Sequence, residues 1–455
     1  MKPSDQIQYE KMTGTPIPRL ITSLAIPTIA SMLVTAIYNM ADTYFVSHLG
    51  KSATGAVGVV FSLMAIIQAV GFTLGVGSGS LISRLLGQQK KEEAEQVAVS
   101  GLVSALVFGL ALTVFGLAFM DSFMHLLGAT DTILPYARDY ASYILYGAPV
   151  MAASFVLNNL LRAEGHATLS MAGITTGGIL NIALDPIFIF LLDLGISGAA
   201  IATLFSQCVS FLILFSCFLS RKSTLHLSLR KVSPRPATYL SIVQTGLPSF
   251  CRQGLASIAT AALNNAAGVY GDAAIAGMSV VGRVFMLILS VLIGFGQGYQ
   301  PVIGYNYGAA RFDRVRQAFS FTLKVGQVMM VVLATSFWFA APQVAALFGS
   351  DPDMLAVAVF ATRAQCVGLL FLPLGVIANM TFQSVGQTWK GTFLSACRQG
   401  VYFLPLIFLL PRLWGLTGVE LTQPLADVLT WLTCLPFLIV FFRSLPPEPA
   451  EQADS

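Results

Sequence analysis

Residues 25–50 read AIPTIASMLVTAIYNMADTYFVSHLG, a long apolar run interrupted near its end by an acid, Asp42, and closed by Gly50. An α-helix needs roughly 20 mostly apolar residues to cross the hydrocarbon of a bilayer, and the run 20–46 meets that length. Five comparable segments follow at 54–83, 97–120, 134–162, 168–191 and 196–220. Six more lie at 238–268, 273–304, 317–341, 353–385, 388–411 and 416–442. Composition agrees: 55% of the 455 residues are hydrophobic and only 10% are charged, against about a quarter charged in soluble domains. The expected fold is an all-α polytopic membrane protein with 12 transmembrane helices.

Charge placement gives the expected orientation. With an even number of spans both termini share one side, and 18 of the 25 Lys and Arg residues fall there while four fall opposite. Under the positive-inside rule both ends are expected in the cytoplasm. A net charge of +4 is too small to argue for a nucleic-acid partner. The basic stretch 221–236, RKSTLHLSLRKVSPRP, suits a membrane surface better. The N-terminus carries no cleavage pattern, so the first apolar segment is expected to remain in the chain. Six cysteines sit singly inside apolar runs and support neither a disulfide framework nor a metal site; small apolar fillers is the simpler reading. No H-E-x-x-H or G-x-S-x-G pattern occurs, which argues against an embedded enzyme, and no cofactor is implied.

The chain repeats itself. At a shift of 221 residues Pro27 meets Pro248, Gly50 meets Gly271, Gly75 meets Gly296, Asn158 meets Asn379 and Gly165 meets Gly386. LGISG at 194–198 matches WGLTG at 414–418 at a shift of 220. Six spans per half give both halves the same topology, so they are parallel repeats with a cavity expected between them. The boundaries that follow are an N-terminal six-helix bundle over 1–220, a cytoplasmic linker over 221–237, a C-terminal six-helix bundle over 238–443 and a disordered tail over 444–455.

Ionisable side chains within spans are costly and by default functional. In the first half Asp42 and Asp185 are two such acids. Asn181 precedes Asp185 by four residues and shares its helix face, as Tyr38 does with Asp42. Pro186 cannot donate to the carbonyl of Ile182, so a kink is expected beside the acid. Counted from the outer ends of their spans, Asp42, Asp185 and Thr203 lie within a few ångströms of one depth. Asp42, Asn181, Asp185 and Thr203 therefore form a candidate coupling site of hard oxygen ligands for Na+ or H+. Two neighbouring acids in low dielectric cannot both stay ionised without a positive partner. Tyr38, Asn158, Tyr140 and Met286 are candidates for a substrate cavity. Asn158 serves equally as an interhelical hydrogen bond, and Tyr140 as an interfacial aromatic. In the second half Arg252, Arg398 and Asp427 fall near mid-membrane; the simpler reading is one buried charge network, the other a second coupling relay through Asp427. Arg283 has no evident acid partner.

The order and spacing of NMADTYFVSHLG (39–50), SGSLISRLLG (78–87), GGILNIALDPIF (177–188) and GISGAAIAT (195–203) resemble the multidrug and toxic compound extrusion family, in its DinF-like branch. The resemblance covers essentially the whole chain. It implies a V-shaped pair of six-helix bundles in a bacterial inner membrane, with a Na+ or H+ gradient driving efflux of amphipathic, often cationic drugs and toxic metabolites. It also implies a monomer among membrane lipids, with Asp42, Asn181, Asp185 and Thr203 as the cation site. Acids that other branches carry in spans seven and ten are missing here. A flippase for lipids or lipid-linked saccharides is the alternative.

Overall fold

The computed structural model describes residues 3–220 and 222–446. Lys2, Arg221 and positions 447–455 of the expected tail lie outside the described residues. The order of elements is α1 Pro3–Gly14, α2 Ile17–Ser47, α3 Lys51–Gly87, α4 Lys91–Ala118, α5 Met120–Leu126, α6 Leu134–Ala163, α7 Ala167–Pro186, a π-helical turn Ile187–Leu191, and α8 Gly195–Leu219. After a 3-10 turn at Leu229–Lys231 come α9 Pro236–Gly268, α10 Asp272–Gly308, α11 Phe312–Ala346, α12 Pro352–Leu369, α13 Leu372–Val385, α14 Thr388–Ala396, a π-helical stretch Cys397–Phe403, α15 Leu404–Trp414 and α16 Leu416–Ser444.

Among the described residues ten helices are long and apolar enough to cross a membrane, and α12 with α13 makes an eleventh that bends by 51°. The twelfth long helix is α9, which falls short through its polar content, Gln244, Arg252, Gln253, Asn264 and Asn265 included. Many hydroxyls in the spans bond back to their own helix. In α2, Ser31 donates to Pro27 O (3.0 Å), Thr35 to Ser31 O (2.8 Å) and Thr43 to Asn39 O (2.9 Å), so these three hydroxyls need no water.

Two compact units result, residues 1–9 with 24–246 and residues 10–23 with 247–455. The repeat is written in the backbone. Gly50 and Gly271 precede α3 and α10 with φ of 105° and 100°; Gln89 and Ala310 have φ of 60° and 57°; Gly165 and Gly386, 87° and 85°. Each pair is 221 residues apart, and Gly195 and Gly415 (55° and 60°) are 220 apart.

Within the first unit α3 and α9 cross at a glycine pair. A Cβ on Gly77 would strike Ile242 O, and one on Gly246 would strike Thr73 O. Only glycine permits that approach. The linker region is fastened to the same unit. Buried Glu95 of α4 accepts from His226 N (3.0 Å) and pairs with Lys231, while Glu164, after α6, accepts from Ser223 Oγ (2.7 Å), Thr224 N (2.7 Å) and Thr224 Oγ1 (2.6 Å). Burial pushes the Glu164 carboxyl up from its ordinary range, against the pull of the Thr224 and Ser223 hydrogen bonds. In the second unit Leu445 is buried and its carbonyl accepts from Arg316 Nη2 (3.0 Å), so the chain just after α16 is held in place.

Candidate functional site

In the first unit α2 and α7 touch at Gly178, where a Cβ would lie 2.7 Å from Val34 Cγ1 and 3.4 Å from Tyr38 Cδ1. Asp42 stands eight residues beyond Val34 and Asp185 seven beyond Gly178, about two helical turns in each case. Both acids are thereby raised to one level. Asp42 is 4% exposed and Asp185 is fully enclosed. The ladder past Pro186 continues in the wider π turn, with Leu192 N bonded to Ile187 O (2.9 Å), in place of a simple kink.

The neighbours are oxygen-rich. Asn181 Nδ2 donates to Asp185 Oδ1 and to Thr203 Oγ1, both at 3.3 Å, and Tyr140 OH donates to Asp42 Oδ2 at 3.4 Å. With its only donor nitrogen so occupied, Asn181 turns its carbonyl oxygen the other way. Asp42 Oδ1, Asn181 Oδ1 and Asp185 Oδ2 are buried and have no hydrogen-bond partner among the described residues. Neither acid forms an ion pair there. Three bare oxygens on hard ligands fit a small cation or a proton.

The remaining candidates distribute differently. Tyr140 is fully buried and bonded to Asp42, so it belongs to the acid corner instead of a substrate cavity or an interfacial belt. Tyr38 is partly buried and faces Gly178. Asn158 is buried and bonded to Ser170 of α7, an interhelical tie. Met286 is exposed on α10, three residues after exposed Arg283. In the second unit Arg398 Nε bonds Asp427 Oδ1 at 2.6 Å. Arg252 does not join them, because its guanidinium is directed to Asn379 Oδ1 at 3.5 Å; a single three-member network is corrected to a pair and a separate contact. The partners of Asp427 that sequence reasoning missed are Gln365 (3.1 Å) and Gln423 (3.0 Å). Gln423 carried a signal, since it stands four residues before the acid and 220 after Thr203. Gln365 carried none.

The sequence profile of the MatE family matches residues 27–187 and again 248–409. Multidrug export protein MepA of Staphylococcus haemolyticus is 29% identical over 418 residues, covering 92% of this chain and 91% of that one. An outward-facing multidrug resistance MATE family transporter of the MOP superfamily superposes with a TM-score of 0.91 at 30% identity, over 96% of this chain and 98% of that chain. A MOP superfamily transporter from Pyrococcus furiosus, for which a reversed polarity of the binding pocket suggests a different function, superposes with 0.90 at 30% identity over the same shares. Fold and comparisons together define a multi-pass membrane protein built from two six-span repeats. The chain belongs to the MatE family of membrane transporters.

Proposed function

We propose that this protein is a secondary antiporter that exports amphipathic, often cationic organic compounds in exchange for an inward-moving Na+ or H+. The observation that carries this reading is the set of three buried oxygens without donors on Asp42, Asn181 and Asp185. Acids enclosed in a membrane protein with no resident base favour a mobile positive partner. Thr203 and Tyr140 complete the shell, one as a hydroxyl ligand and the other holding Asp42 by its second oxygen. Coupling follows if cation and drug stabilise different conformations, since a ligand moves an equilibrium only by its difference in affinity for the two states. The export activity named for the staphylococcal relative supports the substrate class. We place the protein in a bacterial inner membrane as a monomer surrounded by lipid, with both termini in the cytoplasm, on the distribution of Lys and Arg.

The test is transport in proteoliposomes with Na+ and pH gradients imposed separately, reading the movement of ethidium. One of the two gradients should drive accumulation against the ethidium gradient. Ethidium flux that ignores both gradients would refute antiport.

A further inference from the structure

The acid corner of the first unit has a counterpart in the second, and the repeat locates it residue by residue. Gly178 faces Val34, and Gly400 faces Leu255 with a Cβ contact of 3.1 Å. Leu255 is the mate of Val34 at the shift of 221, so by Gly400 the shift has become 222. The family match says the same, since its copies start 221 residues apart and end 222 apart. The π-helical stretch Cys397–Phe403 absorbs the added residue, as a π-bulge does. Asp42 and Tyr140 therefore correspond to Leu263 and Ala361, and Asn181 and Asp185 to Phe403 and Ile407. All four belong to one apolar cluster. Thr203 corresponds to Gln423.

Gln365, Asp427 and Arg398 lie one turn away from the positions that match the first corner. Gln365 follows Ala361 by four residues, Asp427 follows Gln423 by four, and Arg398 precedes Phe403 by five, one π turn. Consecutive spans alternate in direction, so all three displacements point to the same face. The second corner thus holds an acid, as the first does, but supplies it with a cation of its own from the inserted stretch. Arg398 binds Asp427 Oδ1 at 2.6 Å and lies 5.3 Å over the Phe285 ring. Gln365 and Gln423 occupy the remaining carboxylate positions.

Resting on the coupling reading of the first unit, we propose that Arg398 is the resident counter-cation of the second repeat. By neutralising Asp427 permanently it confines exchange of a mobile cation to the Asp42/Asp185 corner. Arg398 is a specificity-determining residue, setting one ion-accepting corner per chain where the repeat would offer two. A guanidinium suits this role because it keeps its charge at any physiological pH. Asp427 relieved of it would have to recruit a proton or Na+.

The full-length protein in detergent provides the test. The background is Asp42→Asn/Asp185→Asn, which silences the first corner. Melting temperature is measured against Na+ concentration and, separately, against pH from 5 to 9. Other ionisable groups on α16 and the elements packed around it are Glu420, Cys434 and Arg443 on α16 itself, Asp353, Arg363 and Cys366 on α12, Lys390 on α14, Cys397 and Tyr402 in the π-helical stretch and Arg412 on α15. Their contribution cancels in the difference between Arg398→Gln and Arg398→Gln/Asp427→Asn. The first should gain a stabilisation by Na+ or by low pH that the second lacks; identical profiles would overturn the proposal. If Arg398→Gln does not yield folded protein, Arg398→Met/Asp427→Met decides. It should export ethidium with the parent's ratio of ion to substrate, and loss of coupling would show that the pair is a relay. Failure of the first-unit reading is recognised independently, as coupling that survives Asp42→Asn/Asp185→Asn with Arg398 intact.

Discussion

The two repeats share four pairs of left-handed residues, yet treat one helical corner in opposite ways. In the first unit Asp42, Tyr140, Asn181 and Asp185 converge and leave three oxygens bare. In the second, Leu263, Ala361, Phe403 and Ile407 fill the same place with hydrocarbon. The acid of the second unit lies a turn away, bound to Arg398 and two glutamines. A buried carboxylate with its own guanidinium is electrically complete, whereas a pair without one depends on what enters from solution. Duplication of a fold therefore need not duplicate its electrostatics.

The largest effect should come from removing the difference itself. Asp42→Asn and Asp185→Asn should each lower cation-driven efflux by about 10-fold or more, within the usual range of coupling energies, with expression unchanged. Efflux at the parental rate in both would break the comparison at its root. Next in size is the second unit's ion pair. Asp427→Ala should cost about 3–5 kcal/mol of stability by leaving Arg398 uncompensated, read as a drop in melting temperature. The Arg398→Met/Asp427→Met protein should melt far closer to the parent, and equal losses in both would mean that charge balance is not what matters there.

Placing an acid in the apolar corner sharpens the contrast from the other side. Ile407→Asp copies Asp185 into a site that is 1% exposed within an apolar cluster. A cost of about 3 kcal/mol is expected for a charge at such depth, with no second ion transported; parental melting behaviour would show that the second corner tolerates an acid. Smaller still is Tyr140→Phe. Losing one hydrogen bond to Asp42 is worth about 1 kcal/mol, so cation affinity should change by several-fold while maximal efflux holds. An unchanged cation affinity would remove Tyr140 from the corner.

The smallest effect concerns the linker clamp, which has no counterpart in the comparison. Folding raises the Glu164 carboxyl, so the folded protein keeps that proton to higher pH than the unfolded chain does. Stability from this group is complete below the ordinary glutamate value of about 4.3 and declines as pH climbs through the folded value. Glu164→Gln should flatten that decline in melting temperature. A slope parallel to the parent's would show that the proton is not taken up there.

Span positions and the repeat were legible from residue order, as was the expectation that Asp42 and Asp185 share a depth. Helix ends in a membrane follow from local transfer free energy, and depth along a span is a matter of counting residues. The level of Asp42, Asp185 and Thr203 could be reckoned for that reason, and the i, i+4 tie from Asn181 to Asp185 needs one helix only. Which faces meet is another matter. That Tyr140 turns to Asp42, that Arg252 goes to Asn379 instead of Asp427, and that Glu95 and Glu164 hold the linker all depend on helix rotation and on contacts between distant segments. The π insertion at Cys397–Phe403, which brings Arg398 to Asp427, leaves no local mark beyond a one-residue change of register. Hydrophobicity along the chain determined how many times this protein crosses the bilayer; only packing decided which of its buried acids stand beside a base.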